Sequence, residues 1–267
     1  MKKLSLIALA VTALGASLPS QAAVFGYYLS NTSGSPAAAI VASGHTAMQL
    51  TNLTAADLIG IDVLWILNGS NGAPDANVTG NAAVVSSFVA GGGVLSFHDR
   101  NVNAGLSAST YIPGAGGVTF VRNLGSNLDV QAINTVTAGP AGVIGNTTLD
   151  GGNQSSHGYA LFSTLPAGAV EVLSEGADAT KAVDFYYSFG LGDVYYSGIP
   201  LDFYLLPAGN NPPANAMRNV YAVNEAAFQA QLFAGNGAVP EPSSLALLAL
   251  AGLMLLGQGR RAKPAQG

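Results

Sequence analysis

The sequence contains no cysteine, which removes disulfides, thiolate nucleophiles and cysteine-ligated metals from the range of readings. Charge is scarce too. Only 9% of the 267 residues are charged, against roughly a quarter in an average soluble domain. Hydrophobic residues make up 49%, so a sizeable core can be buried and a disordered chain is excluded. The surface is then left to Asn, Ser, Thr, Gly and Ala. Cations are scarcest in the middle of the chain. Lys2, Lys3, Arg260, Arg261 and Lys263 lie near the ends, leaving Arg100, Arg122, Lys181 and Arg218 among a majority of acids. No basic stripe remains to pair with phosphates, so nucleic acid is not an expected partner. A Gly-x-Ser-x-Gly nucleophile elbow is also missing, and with it the usual serine hydrolase signature.

What is present starts at the two ends. Residues 1–22 have the order of a secretory signal: Lys2 and Lys3, an apolar run from Leu4 to Leu18, and the small-residue exit Gln21-Ala22-Ala23. Residues 234–238 read as a linker, and 239–267 carry Val239-Pro240-Glu241-Pro242-Ser243-Ser244, an almost wholly apolar run to Gly257, then Arg260, Arg261 and Lys263. The prolines delay a helix that Ser243 or Ser244 can cap. A helix over about 243–257 reaches roughly 20–22 Å at 1.5 Å per residue, short of a ~30 Å hydrocarbon core. The cations after it favour a stop with the domain left outside.

Val239 to Lys263 closely resembles the PEP-CTERM sorting signal: a Pro-Glu-Pro motif, a short apolar helix and a terminal arginine cluster. The resemblance implies that an exosortase recognises Pro240, Glu241 and Pro242 and removes the tail. Independently of it, the positive-inside bias makes Arg260, Arg261 and Lys263 the stop-transfer residues. On this reading the secretion machinery and exosortase are partners, and the membrane is one through the C-terminal helix until processing. The protein then ends at the surface or in the extracellular matrix of a Gram-negative bacterium.

Residues 23–233 alternate between apolar strand runs and helical stretches. Val24 to Leu29, Ile61 to Leu67 and Val94 to Phe97 read as buried strands. Pro36 to Ser43 reads as a short helix, and Val78 to Ala90 as a helix with Val78, Ala82, Val85 and Val89 on one side. Runs apolar on both faces with helices between them predict an α/β domain of flavodoxin-like type, its largely parallel sheet covered by helices on both faces. Farther on, Tyr111 to Gly151 predicts extra strands or an insertion. Ala169 to Leu173, Ala182 to Phe189 and Val194 to Ser197 predict strands, Gly190 to Asp193 a hairpin turn, and Asn219 to Phe233 an amphipathic helix.

The segment Phe88-Val89-Ala90-Gly91-Gly92-Gly93-Val94-Leu95-Ser96-Phe97-His98 resembles the helix, glycine turn, strand and elbow of class I glutamine-amidotransferase-like domains, in particular the ThuA-like branch. The elbow that carries a cysteine in amidotransferases is His98 here, so the resemblance implies the fold without glutamine hydrolysis.

His98 and Asp99 follow a strand end, where open α/β sheets place ligands. His157 and Asp202 are the further groups expected to converge there, a set able to move a proton or hold a metal if they meet. No cofactor or metal is assigned. The leading expectation is a non-enzymatic, polysaccharide-associated surface protein, with Tyr111, Tyr159, Tyr186 and Tyr187 as ring contacts. The alternative is a secreted enzyme on a sugar-derived substrate at a ThuA-like site.

Overall fold

The computed structural model describes residues 22–151, 154–206 and 216–236. Strand β1 (Val24–Ser30) is followed by helix α1 (Ala37–Ala42), β2 (Thr46–Gln49) and β3 (Val63–Asn68). Helices α2 (Ala76–Gly80) and α3 (Ala82–Ala90) lead to β4 (Val94–Asp99). The middle of the chain supplies β5 (Phe120–Gly125), β6 (Leu128–Val130), the short pair β7 (Ala138–Gly139) and β8 (Gly142–Val143), and β9 (Ser156–Leu161). The long strands β10 (Val170–Glu175), β11 (Asp178–Phe189) and β12 (Gly192–Ser197) precede α4 (Leu201–Tyr204), a π-helical turn Met217–Tyr221 and α5 (Ala222–Asn236).

Among the described residues, ten strands share one sheet, giving a mixed α/β architecture. Its order is β2-β1-β3-β4-β12-β11-β10-β6, with β9 paired to β11 and to β5. The first five strands run parallel. All residues of β3, β4 and β12 are buried, which is why these runs carry apolar residues at successive positions instead of alternating with polar ones. Beyond β12 the pairing turns antiparallel. The change begins at β11, which the two-residue turn Gly190-Leu191 joins to β12, and so short a turn can only join strands of opposite direction. Gly190 has φ +66°, and a side chain there would meet Ala90 Cα at 2.5 Å, so the turn sits against the end of α3.

The predicted helix Val78 to Ala90 is two helices. Asp75 caps the first by accepting from the Asn77 and Val78 amides, and Asn81, bonded back to the Asn77 carbonyl at 2.8 Å, marks the break. One apolar cluster joins Ile40 and Phe228 to Phe25, Trp65 and Tyr195; another joins Val78, Val85 and Val89 to Leu64, Ile66 and Phe97.

The expectation of a transmembrane helix needs correction: among the described residues, no helix is long and apolar enough to cross a membrane. The segment at about 243–257 expected to form it, with Pro240, Glu241, Pro242, Arg260, Arg261 and Lys263, lies outside the described residues. So does the signal segment up to residue 21.

Candidate functional site

The parallel register sets up the site. It places Leu67 and Ser197 on either side of His98, and Asn68 beside Asp99. Because side chains alternate along a strand, His98 and Asp99 leave β4 on opposite faces of the sheet, and each enters a different network.

His98 turns toward α5. Its Nε2 lies 2.9 Å from both carboxylate oxygens of Glu225. The ring stacks on Trp65 at 5.8 Å and meets the Tyr221 ring edge-on at 6.1 Å. Glu225 also accepts from Ser96 Oγ at 2.8 Å and from the Gln229 amide one helical turn on. Burial pushes the imidazole pKa down, but the Glu225 carboxylate, its hydrogen bond and Asp184 outweigh this and the net direction is up. Asp184 accepts from Tyr221 OH at 2.6 Å and Tyr195 OH at 3.1 Å. Burial raises its pKa to about 6 against the pull of the Ser197 and Tyr221 hydroxyls and of His98. Among the described residues, Trp65 Nε1, His98 Nδ1, Asp184 Oδ1 and Gln229 Oε1 have no hydrogen-bond partner.

Asp99 turns the other way. Oδ1 accepts from Asn68 Nδ2 at 2.9 Å and from the Asn101 amide at 3.0 Å. Oδ2 accepts from Tyr111 OH at 2.9 Å and Tyr196 OH at 3.2 Å. Burial raises its pKa and these four donors pull it back only in part. The carboxylate fastens the loop after β4: Asn101, tied to Tyr111 OH, also accepts from the Gly105 amide.

His157 and Asp202 meet on a third residue, Arg100. Asp202 takes the guanidinium in a two-point contact, Oδ1 to Nε at 3.2 Å and Oδ2 to Nη2 at 3.0 Å. His157 Nδ1 lies 3.1 Å from the Arg100 carbonyl, to which Arg122 Nη1 also donates. Burial and the two guanidinium groups hold the His157 pKa down to about 4. The ring is therefore neutral at pH 7, with Nδ1–H donating to the carbonyl and Nε2 left as the basic nitrogen.

This rim faces the switch point of the sheet, where the chain leaves β1 for β2 on one side and β3 on the other. Ligands of open α/β sheets bind there. Here the crevice is closed by the protein itself: a side chain on Gly69 would meet Thr32 Cβ at 2.6 Å and Asp202 Oδ2 at 3.0 Å.

The four candidates therefore do not converge. His98 and Asp99 are buried in separate networks, and only His157 and Asp202 share a neighbour. The physical reason is strand alternation, which sends consecutive residues apart. Among the described residues, no group of three or more His, Asp or Glu side chains is placed to hold a metal. Two expected ring contacts are also corrected. Tyr111 and Tyr187 are buried, their hydroxyls bonded to Asp99 and to the Pro113 carbonyl. Tyr159 and Tyr186 remain half-buried.

Reading the sequence misses Glu225, Asp184 and Asn68. For Glu225 a signal exists. It falls in phase with Ala222 and Phe228 on the buried stripe of α5, and an acid inside an apolar stripe needs a buried partner.

No protein-family model matches this sequence, and no curated protein matches it. Solved structures with a similar course include the cytoplasmic protein STM1381 from Salmonella typhimurium LT2, at 11% identity and TM-score 0.49, covering 78% of this chain and 99% of that one. A protein from Bacteroides uniformis ATCC 8492 described as ThuA-like has 12% identity and TM-score 0.44, over 78% of this chain and 94% of that one. The β-galactosidase from Rahnella sp. R3 has 13% identity and TM-score 0.46, over 79% of this chain and 32% of that one. Likeness at this level extends neither to site residues nor to an activity.

Proposed function

We propose that this chain is a non-catalytic, polysaccharide-associated protein, exported, processed at the membrane by an exosortase and then carried to the cell surface or extracellular matrix. The observation that carries the non-catalytic part is the fate of the four candidate groups. His98 and Asp99 are 1% and 0% exposed and lie on opposite faces of one strand. Asp202 is held by Arg100 in the crevice a substrate would enter. A catalytic pair has to reach the same reacting atom, and His98 and Asp99 are separated by the sheet itself. Polysaccharide is the ligand class that suits the remaining surface. Around the rim stand Asn31, Thr32, Ser70 and Asn71, neutral amides and hydroxyls that match sugar hydroxyls in donors and acceptors. The same reading takes the fold as flavodoxin-like with helices on both faces, which the two apolar clusters support.

The test is affinity electrophoresis of the full chain in gels carrying neutral polysaccharides, together with an assay for sugar release. Retardation without release is the expected result. Release of sugar that His157→Gln abolishes would replace this reading with the second one, an enzyme on a sugar-derived substrate. The neutral His157 beside Arg100 and Arg122 is the observation favouring that alternative. Export and processing are checked by the mature C-terminus, measured by mass spectrometry in cells with and without exosortase.

A further inference from the structure

The antiparallel half of the sheet carries a groove of about 390 Å³ that shares no lining residue with the His98 network, lined by Gln131, Ala132, Phe162, Ala169, Val170 and Glu171. Phe162 opens the short 3-10 turn after β9 and is 43% exposed. Glu171, on β10, is only 8% exposed, and among the described residues its Oε1 has no hydrogen-bond partner. A buried acceptor left alone costs stability. Oε1 is sealed from solvent, so Oε2 is the oxygen left to accept from a ligand. No cation is among the groove's lining residues, and Lys181 is paired with Asp178 at 3.4 Å. Burial, with a smaller push from Asp178, raises the Glu171 pKa to about 7. Gln131 donates its Nε2 to Ser174 Oγ at 2.7 Å, which leaves the amide oxygen as an acceptor.

The lining therefore combines a flat apolar ring with two acceptor groups and no cation. Anionic ligands are disfavoured by that set, and a metal ion would find one carboxylate where it needs several ligands. A ligand with hydroxyl donors along one edge and a C–H face matches both halves. We infer that this groove is a subsite for one sugar ring of a polysaccharide, stacked on Phe162 with a hydroxyl donated to Glu171. The inference rests on the polysaccharide-binding reading above and adds to it a contact separate from the rim.

Affinity electrophoresis of the full chain in gels carrying dextran, galactomannan or xyloglucan tests it, with Phe162→Ala, Glu171→Gln and the control Leu191→Ala, which removes an apolar side chain elsewhere on the surface. On whichever polysaccharide retards the parent, Phe162→Ala is expected to weaken binding about tenfold and Glu171→Gln about threefold, with Leu191→Ala unchanged. Circular dichroism confirms that the variants fold. A parent that binds while both groove variants bind equally well overturns the subsite and leaves polysaccharide binding standing. A parent retarded by none of the three overturns both.

Discussion

The two faces of β4 carry polar networks of opposite character. On one, Asp99 receives four hydrogen bonds and its donors are mostly loop and strand groups from within forty residues; Tyr196, from β12, is the exception. On the other, His98, Glu225 and Asp184 bring ionisable groups together from distant parts of the chain, and among the described residues His98 Nδ1, Asp184 Oδ1 and Gln229 Oε1 have no hydrogen-bond partner. Both are fully buried, so burial alone does not distinguish them. The contrast lies in satisfaction. A buried network whose members are all paired rigidifies its surroundings, whereas one with open positions carries a desolvation cost inside the fold. The Asp99 network thus serves as the fastening of the loop after β4, and the His98 network as the tie between β4 and α5.

Substitutions can break or sharpen this contrast. The largest effect is expected for Asp99→Ala, which strips the acceptor from four buried donors and is predicted to cost about 4 kcal/mol in urea unfolding. Glu225→Gln is next, at about 3 kcal/mol near pH 6, since it leaves His98 without its counter-charge. This loss has a pH signature. The folded pKa of His98 is raised above 6.5, so its stabilisation is full below that value and fades as pH rises through the folded pKa. The gap between parent and variant should narrow from pH 6 to pH 9; an unchanged gap would mean that the pair is not ionic.

Asn68→Ala removes one donor to Asp99 and is expected to cost about 1.5 kcal/mol, well below the loss of Asp99 itself. Equal losses would show that Asn68 is the true anchor of the loop. The smallest change is expected for Asp184→Asn, within about 1 kcal/mol at pH 8. Its carboxyl is raised from 3.8 to about 6, so the folded state binds the extra proton and parent stability falls as pH rises from about 4 to 6. Asparagine should flatten that part of the stability curve, measured by thermal unfolding at closely spaced pH values.

Legibility in the sequence divides along the same line between local and distant. The buried strands β1, β3 and β4, the helix α1 and the turn at Gly190 are visible because runs of apolar residues and glycine punctuation are local signals. Strand β2 is not visible: Thr46–Gln49 is four residues long, largely exposed, and held by pairing with β1. Strand β9, which carries His157, was equally hidden, since Gly158 interrupts its pattern and its partners β5 and β11 lie far off in sequence. His98 and Asp99, expected just past a strand that ends at Phe97, are instead the last two residues of β4. A shared site fails for that reason, because the alternation that marks a strand sends them to opposite faces.

What the sequence determined by itself was composition, the absence of thiol chemistry, the parallel strands and the residues at their ends, all of which follow from spacing along the chain. The tertiary structure alone decided what those residues meet. Glu225 reaches His98 from 127 residues away, and Asp202 reaches Arg100 from 102. Periodicity fixes the direction in which a side chain leaves the backbone, but the group waiting there depends on how distant elements pack, and that is set by the whole core at once.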